Sequence, residues 1–308
     1  MVIVRAMGGL GNQLQQYALY RKLEHMGKDA RLDTSWFFDE KLQAGMAAGR
    51  ELELAYFERL PYRKATEGEI RSVLGRLWEE PESAAAKVRR KLFWSKTPVF
   101  EESGMYHEEI FSMDNKYLAG YWACDKYYAD IMDMLRGDIT FPKSKDAALQ
   151  RKNEETMELM ETQQSVSVHI RRGDYLDHIN AELFGGICTE AYYERAMAYM
   201  RERLPQVKFF LFSDDASYLR ERYRGKEYEI IDWNRGRDSF YDMMLMSRCR
   251  HNICANSTFS FWGARLNANR DKIMIRPSIH KNTQTCMPEQ MKELWKGWTL
   301  ITPEGEII

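Results

Sequence analysis

Residues 1–34 read MVIVRAMGGLGNQLQQYALYRKLEHMGKDARLDT. A short apolar run at 1–6 predicts a strand. Gly8-Gly9-Leu10-Gly11-Asn12-Gln13 predicts a tight turn, and Leu14, Leu19 and Leu23 fall on one face of a following helix. "DARLD" reads as a second strand, with Asp33 where a ribose-binding acid falls in a dinucleotide fold. Strand, glycine turn, helix and strand are the opening of a nucleotide-binding α/β unit. Two common versions are excluded. The dinucleotide fingerprint needs a third glycine where Leu14 stands, because helix and strand must approach closely there. The phosphate loop of NTPases needs a lysine after its last glycine, and Asn12-Gln13 follow instead. What remains is a turn opening a helix N-terminus, which favours an anion. A plain strand-to-helix turn is the alternative.

The chain has 308 residues, enough for two domains. Its formal net charge of −1 gives no general affinity for nucleic acid. No apolar run approaches the ~20 residues that span a bilayer, and no basic segment precedes a long apolar core, so no secretory signal is expected. Cysteines at 124, 188, 249, 254 and 286 are odd in number, scattered and free of any C-x-x-C. That fits a reducing, cytoplasmic setting without a zinc site. A basic and aromatic stretch at 87–94, KVRRKLFW, offers peripheral contact with the inner membrane face or a lipid-linked substrate. A solvated helix is the plainer alternative.

From residue 165 the chain alternates regularly. Strands are predicted at 165–170, 207–212, 228–231, 252–255 and 272–275, with helices near 189–203, 216–223, 238–247 and 258–268. Such alternation implies a parallel sheet covered on both faces. The predicted division is 1–164, 165–290 and a tail at 291–308 that packs back on the first domain. Ligands of parallel sheets bind at the carboxyl ends of the strands, and three sets of polar residues fall there. His169-Ile170-Arg171-Arg172 brings two guanidinium groups suited to phosphate oxygens. Phe212-Ser213-Asp214-Asp215 brings carboxylates for a ribose, a guanine edge or a divalent metal. Asn256-Ser257-Thr258-Phe259 brings small donors at a helix start. Each set has a bland alternative: a surface ion pair for the first, helix capping for the other two. Together they describe a site for a nucleotide diphosphate, and a nucleotide-sugar is the natural ligand.

These residues carry a resemblance. GGLGNQLQQYA at 8–18 resembles the N-terminal signature of glycosyltransferase family 11, the α-1,2-fucosyltransferases. HIRRGDY at 169–175 is similar to the H-x-R-R-x-D motif that this family shares with α-1,6- and protein O-fucosyltransferases. FSDD at 212–215, residues 242–266, LAGYWACDKYY at 118–128 and GICTEAYYERAM at 186–197 also resemble family segments. Gln15 departs from the family's usual Phe, and Phe261 and Arg265 from its more frequent Trp.

The resemblance implies a GT-B fold, two Rossmann-like domains facing a central cleft. It implies GDP-β-L-fucose as co-substrate, no metal, no further cofactor, and inversion at the anomeric carbon. His169 and Arg171 would meet the nucleotide and its β-phosphate, with Arg172 in support. Asp214 or Asp215 would hold ribose or guanine. Ser257 and Thr258 would donate to the phosphates, with Asn256 and Phe259 in the same donor-binding run. Gly9, Gly11, Asn12 and Gln13 would lie near the sugar, Asn12 and Arg171 being the catalytic pair. Asp177 and His178 are candidate bases, as are Asp33 and Glu182. The acceptor would be an oligosaccharide or lipid-linked glycan, through the 2-OH of a galactoside. A metal-dependent transferase for another nucleotide-sugar, a noncatalytic nucleotide or glycan module, and an NAD-dependent oxidoreductase are the alternatives.

Overall fold

The computed structural model describes residues 1–40, 42–43, 49–75, 98–103, 106–172, 178–284 and 286–308, with the backbone alone for 178 and 179. The basic stretch 87–94, Gly173, Asp174, Tyr175 and Asp177 lie outside the described residues, as does the side chain of His178. The chain divides into two compact units, Met1–Thr140 and Phe141–Ile308.

The first unit carries a parallel sheet ordered β2-β1-β4-β3. Its strands are β1 (Val2–Arg5), β2 (Ala30–Asp33), β3 (Val99–Glu101) and β4 (Lys116–Ala119). Helix α1 (Leu10–His25) connects β1 to β2, as the sequence pattern requires. Its burial is wider than one apolar face. Gln13, Gln15 and Gln16 are buried together with Leu14, Tyr17, Leu19, Tyr20 and Leu23. Gly8 has φ +79°, and a Cβ there would come within 2.8 Å of Asn12 Nδ2. Only glycine turns the chain this tightly into the helix. Helices α2 (Glu67–Leu74) and α3 (Met132–Asp138) complete the described helices of the unit. Thr66 and Glu69 start α2 with a reciprocal capping box.

The second unit holds a six-stranded sheet in the order β10-β9-β8-β5-β6-β7, every registered pair parallel. Its strands are β5 (Gln164–Ile170), β6 (Val207–Ser213), β7 (Tyr228–Ile231), β8 (His251–Ile253), β9 (Met274–Pro277) and β10 (Trp298–Ile301). The chain winds outward from β5 to β7 on one side, then returns beside β5 and winds outward through β8, β9 and β10. This is the doubly wound order, and its reversal point lies between β5 and β8. The helices are α4 (Ala147–Thr162), α5 (His178–Phe184), α6 (Glu190–Arg201), α7 (Ala216–Arg222), α8 (Phe240–Arg248), α9 (Thr258–Leu266) and α10 (Pro288–Leu294). Val166, Val168, Phe209 and Leu211 bury one sheet face against Tyr192, Ala196 and Met200 of α6.

The boundary falls at 140/141, not at 164/165. Helix α4 packs on β5 and α8, so it belongs with the sheet that follows it. The tail supplies β10, in register with β9 from Trp298↔Met274 to Ile301↔Pro277. The apolar alternation of "WTLI" adds it to the edge of the second unit's sheet. The last predicted strand shifts from 272–275 to 274–277, because Lys272 leaves the strand to donate to the Ala264 and Asn267 carbonyls.

Candidate active site

The reversal point collects the three motifs. Strand β5 delivers His169 next to the sheet's end, with its carbonyl accepting from Tyr193 Oη at 2.9 Å. The His169 ring is buried and lies 5.9 Å from the Phe259 ring. Its Nδ1 finds no partner among the described residues. Burial, and then the positive charge of Arg171, hold this imidazole well below its ordinary pKa, against the opposing pull of Asp214. A neutral ring with an unpartnered nitrogen can accept or donate a hydrogen bond to a ligand.

Past β5 the two arginines are each matched by a carboxylate from the end of β6. Arg171 Nη1 lies 2.8 Å from Asp214 Oδ2, and the Arg172 backbone N–H donates to Asp214 Oδ1 at 3.1 Å. Arg172 Nε donates to Asp215 Oδ2 at 3.1 Å, while its guanidinium lies 3.9 Å over the Tyr218 ring. Asp215 also accepts from Tyr218 N at 3.0 Å and so caps α7. The Tyr218 amide, then Arg172, hold the Asp215 carboxyl below its ordinary range. The predicted capping role for the Asp pair is therefore real, but it uses one oxygen of Asp215. The other carboxylate oxygens orient the arginines.

The third motif divides its work. Asn256 is buried and structural: its Nδ2 donates to the Phe184 and His280 carbonyls at 3.1 and 3.3 Å. Its backbone N–H donates to Cys188 Sγ, and that thiol donates to its Oδ1. Ser257 stands at the N-cap of α9 yet makes no side-chain cap hydrogen bond. A serine that merely capped the helix would bond its second or third amide. The first turn of α9, with half-buried Thr258 and Phe259, is thus available to an anion.

Two further cationic residues, Arg276, which no motif singled out, and Arg265, one of the departures, share an aromatic cluster with α9. Arg276 is fully buried on β9, its guanidinium 3.7 Å over Trp295 and 4.5 Å over Phe261. Arg265 lies 5.1 Å over the same Trp295 and 5.3 Å over Trp262. The departure at Arg265 thus keeps an aromatic neighbourhood by stacking a planar cation on it. His280 packs on Phe261 and Phe184. Burial, then Arg276, Lys281 and Arg265, push its pKa down to about 3.

In the first unit the glycine turn is stitched from behind. Gln13 Nε2 donates to Gly8 O at 2.8 Å and to Glu51 O at 2.9 Å, and its Oε1 accepts from Leu54 N at 3.1 Å. Gln16 joins Met7 N and Gly120 O in the same way, each at 2.9 Å. Gln13, expected at the sugar, uses its amide inside this unit. Asp33, a candidate base, is buried and accepts from Tyr117 Oη at 2.6 Å and Ser35 N at 2.8 Å. It is a structural anchor. Glu182 is exposed on α5. The stitching by Gln13 brings up Glu53, which no sequence motif indicated. Burial raises its pKa, against the Leu10 backbone at the start of α1 and the charge of Arg50.

A family model, glycosyl transferase family 11, matches residues 103–302. The chain belongs to this family. It is therefore a glycosyltransferase by descent, and the stretches 118–128, 169–175, 186–197, 212–215 and 242–266 lie within the matched residues. An α-1,2-colitosyltransferase of Escherichia coli is 27% identical over 292 residues, 90% of this chain and 91% of that protein. A galactoside α-(1,2)-fucosyltransferase 1 of Leontopithecus chrysomelas is 32% identical over 152 residues, 45% of this chain and 41% of that one. Among solved structures, a NodZ α-1,6-fucosyltransferase soaked with GDP-fucose aligns at 16% identity with a TM-score of 0.48. That alignment covers 86% of this chain and 91% of NodZ. Among the described residues no helix is long and apolar enough to cross a membrane.

Proposed function

We propose that this family 11 member transfers L-fucose from GDP-β-L-fucose to a hydroxyl of a glycan, the 2-OH of a galactoside, with inversion and without a metal. The observation that carries the reading is the pairing of Arg171 with Asp214 and Arg172 with Asp215 at the sheet's reversal point. Beside it, Ser257 leaves the α9 start without a side-chain cap. In the reaction, an acceptor oxygen bonds to the anomeric carbon as the bond to the β-phosphate oxygen breaks. GDP leaves with the electron pair, and its growing charge must be met. Arg171, held in place by Asp214, offers a planar fork to that phosphate. The α9 amides and the Ser257 and Thr258 hydroxyls offer further donors. Preorganised donors of this kind are worth roughly 3 kcal/mol each. In this reading His169 and an Asp214 or Asp215 oxygen meet the nucleoside.

A second donor reading has its own support. A relative that aligns along nearly its whole length is named a colitosyltransferase. GDP-colitose is therefore the competing donor. The test is a donor screen, GDP-fucose against GDP-colitose and GDP-mannose. Each is offered with galactosides and a galactose-terminated lipid-linked oligosaccharide, in EDTA, and product linkage is determined. The expected product is α-1,2-linked fucose formed in EDTA. Activity that EDTA abolishes and manganese restores would support a metal-dependent enzyme instead. Asn12, half-buried in the first turn of α1, tests the role of the glycine turn. Asn12→Ala is expected to lower turnover far more than GDP affinity, because every GDP contact proposed here comes from the second unit.

A further inference from the structure

We propose that Tyr121 is a sugar-stacking platform of the first unit, presented by a strained turn to take one pyranose ring of the acceptor glycan. The inference rests on the glycan acceptor proposed above and adds a residue that binds it.

Ligands of a parallel sheet gather at the carboxyl ends of its strands. In the first unit β4 lies between β1 and β3, and its end runs straight into Gly120-Tyr121-Trp122. Trp122 has φ +53°. A bulky residue rarely adopts this left-handed backbone, and it persists only where the surroundings impose it. Here they do. Glu102, just past β3, accepts from the Tyr121 and Trp122 backbone N–H groups on one oxygen, Oε2, at 2.7 and 2.8 Å. Two successive amides converging on one carboxylate oxygen form a backbone nest, filled by an anion of the chain itself. Gly120 makes room for it: a Cβ there would come within 2.4 Å of Glu102 Cβ and 2.9 Å of Glu102 Oε2. Fully buried Gln16 of α1 holds the same turn by its carbonyl. Its Nε2 donates to Gly120 O and its Oε1 accepts from Met7 N, each at 2.9 Å. The turn after β4 is thereby tied to the turn after β1. The buried Trp122 ring completes the anchorage, stacked at 6.2 Å on Phe100 and edge-on at 5.5 Å to Tyr127.

These contacts fix backbone, and what the backbone presents is Tyr121. Its side chain is 50% exposed and makes no hydrogen bond or ring contact among the described residues. Packing explains the tryptophan at 122. Nothing inside the fold explains an aromatic residue at 121. Gly120 and Trp122 are buried on either side, so the ring stands alone rather than within an apolar strip of the turn. A protein partner would call for a contiguous apolar patch, whereas a single ring suits a single sugar. A pyranose has a face of C–H groups that lies on an aromatic ring and a rim of hydroxyls. Tyrosine offers both counterparts, an apolar body and a polar tip. Because the turn is already locked, little freedom is lost when the sugar binds.

The test uses the full chain, with a simple galactoside and a galactose-terminated oligosaccharide as probes. Saturation-transfer NMR without donor should give its strongest signal on the C–H protons of one sugar ring, and Tyr121→Ala should lose that signal. In transfer assays with GDP-fucose, Tyr121→Ala is expected to raise the acceptor KM about tenfold, with little change in kcat, GDP affinity or Tm. Tyr121→Phe and Tyr121→Trp keep a stacking face and should restore most of the lost affinity. Glu102→Ala releases the turn, so its acceptor KM should rise as well, with a fall in Tm. Wild-type KM and glycan signal in Tyr121→Ala would overturn the platform, as would a wild type that gives no glycan signal. A loss in Tyr121→Phe as large as in Tyr121→Ala would overturn stacking, and an unchanged KM in Glu102→Ala would overturn the role of the strained turn. If Tyr121→Ala does not fold, Tyr121→Gln, which keeps bulk without a ring, decides in the same sense. Failure of the fucose-transfer reading looks different: no fucosylated product forms, yet the Tyr121-dependent glycan signal remains.

Discussion

Arg171 is the residue on which the proposed chemistry depends most, and its setting explains why lysine cannot replace it. Asp214 Oδ2 fixes one end of the guanidinium at 2.8 Å, so the rest of the fork is aimed. An ammonium is a point charge on a mobile stem and cannot be aimed in this way. Arg171→Lys is expected to lose at least ~100-fold in turnover, about one transition-state donor, while the protein stays folded. Turnover close to wild type would remove Arg171 from the leaving group. Gln15 gives a prediction of the opposite kind. It is fully buried on α1, and neither its Nε2 nor its Oε1 has a partner among the described residues. A buried amide in that state costs about 1–3 kcal/mol. Gln15→Met keeps the volume and removes the polar atoms, so a rise in stability of about 1–2 kcal/mol is expected in denaturant melts.

At the scale of elements, the segment 242–266 is one packing device. It supplies most of α8, then β8 and all of α9 in sequence. Buried Asn252 bonds Ser167 Oγ at 2.7 Å and Met246 O at 2.8 Å, tying β8 to β5 and to the end of α8. Helix α9 must press closely on α8 for its N-terminus to sit at the sheet's reversal point. Gly263 permits that approach: a Cβ there would meet Met246 Cβ at 2.7 Å and Met246 Sδ at 3.2 Å. The backbone of α9 or α8 would have to shift. Gly263→Ala is therefore expected to cost about 1–3 kcal/mol and to weaken GDP binding, measured by calorimetry. Unchanged stability and affinity would show that the two helices adjust freely.

For the whole molecule, buried titratable groups set the response to acid. Burial, then nearby cations, push His280 down to about 3, and His169 is also depressed well below its ordinary 6.5. A depressed histidine stabilises the fold above its unfolded value, and that contribution is lost as pH falls from 6.5 toward the folded value. Asp242 runs the other way. Burial raises it from 3.8 to about 7, against the hydrogen bond from Asn234 and the charge of Arg235. Its contribution is full below 3.8 and is lost as pH rises to about 7. Near pH 5 the unfolded chain holds a proton on each of these two histidines, while the folded chain holds one on Asp242. The net of one proton, to which His251, also depressed by burial, adds in the same direction, predicts a loss of at least about 1.4 kcal/mol per pH unit there. Asp242→Asn removes the compensating proton. Its stability should fall about twice as steeply over the same window and exceed wild type at pH 8. Denaturant melts at pH 5, 6.5 and 8 check both slopes.

The sequence by itself determined the parallel sheets, the glycine turn and the polar motifs at the strand ends of the second unit, because each rests on local information. Alternating strands and helices fix a parallel sheet, and strand ends in such a sheet are where polar motifs gather. Gly8 could be read as a turn because its left-handed backbone is a property of one residue. The sequence also placed Arg171, Asp214 and Ser257 near one another without showing which pairs with which. Tertiary structure decided the rest. It assigned α4 and β10 to the second unit, since a helix former or a short apolar run does not state which sheet it will join. It supplied the internal hydrogen bonds of Gln13, Asp33 and Asn256, because a polar side chain shows its partners only when the fold brings them within hydrogen-bond distance. Glu53 lies in residues 35–65, which have no period and no motif. Its position at the glycine turn arises only when Gln13 draws that segment across the start of α1.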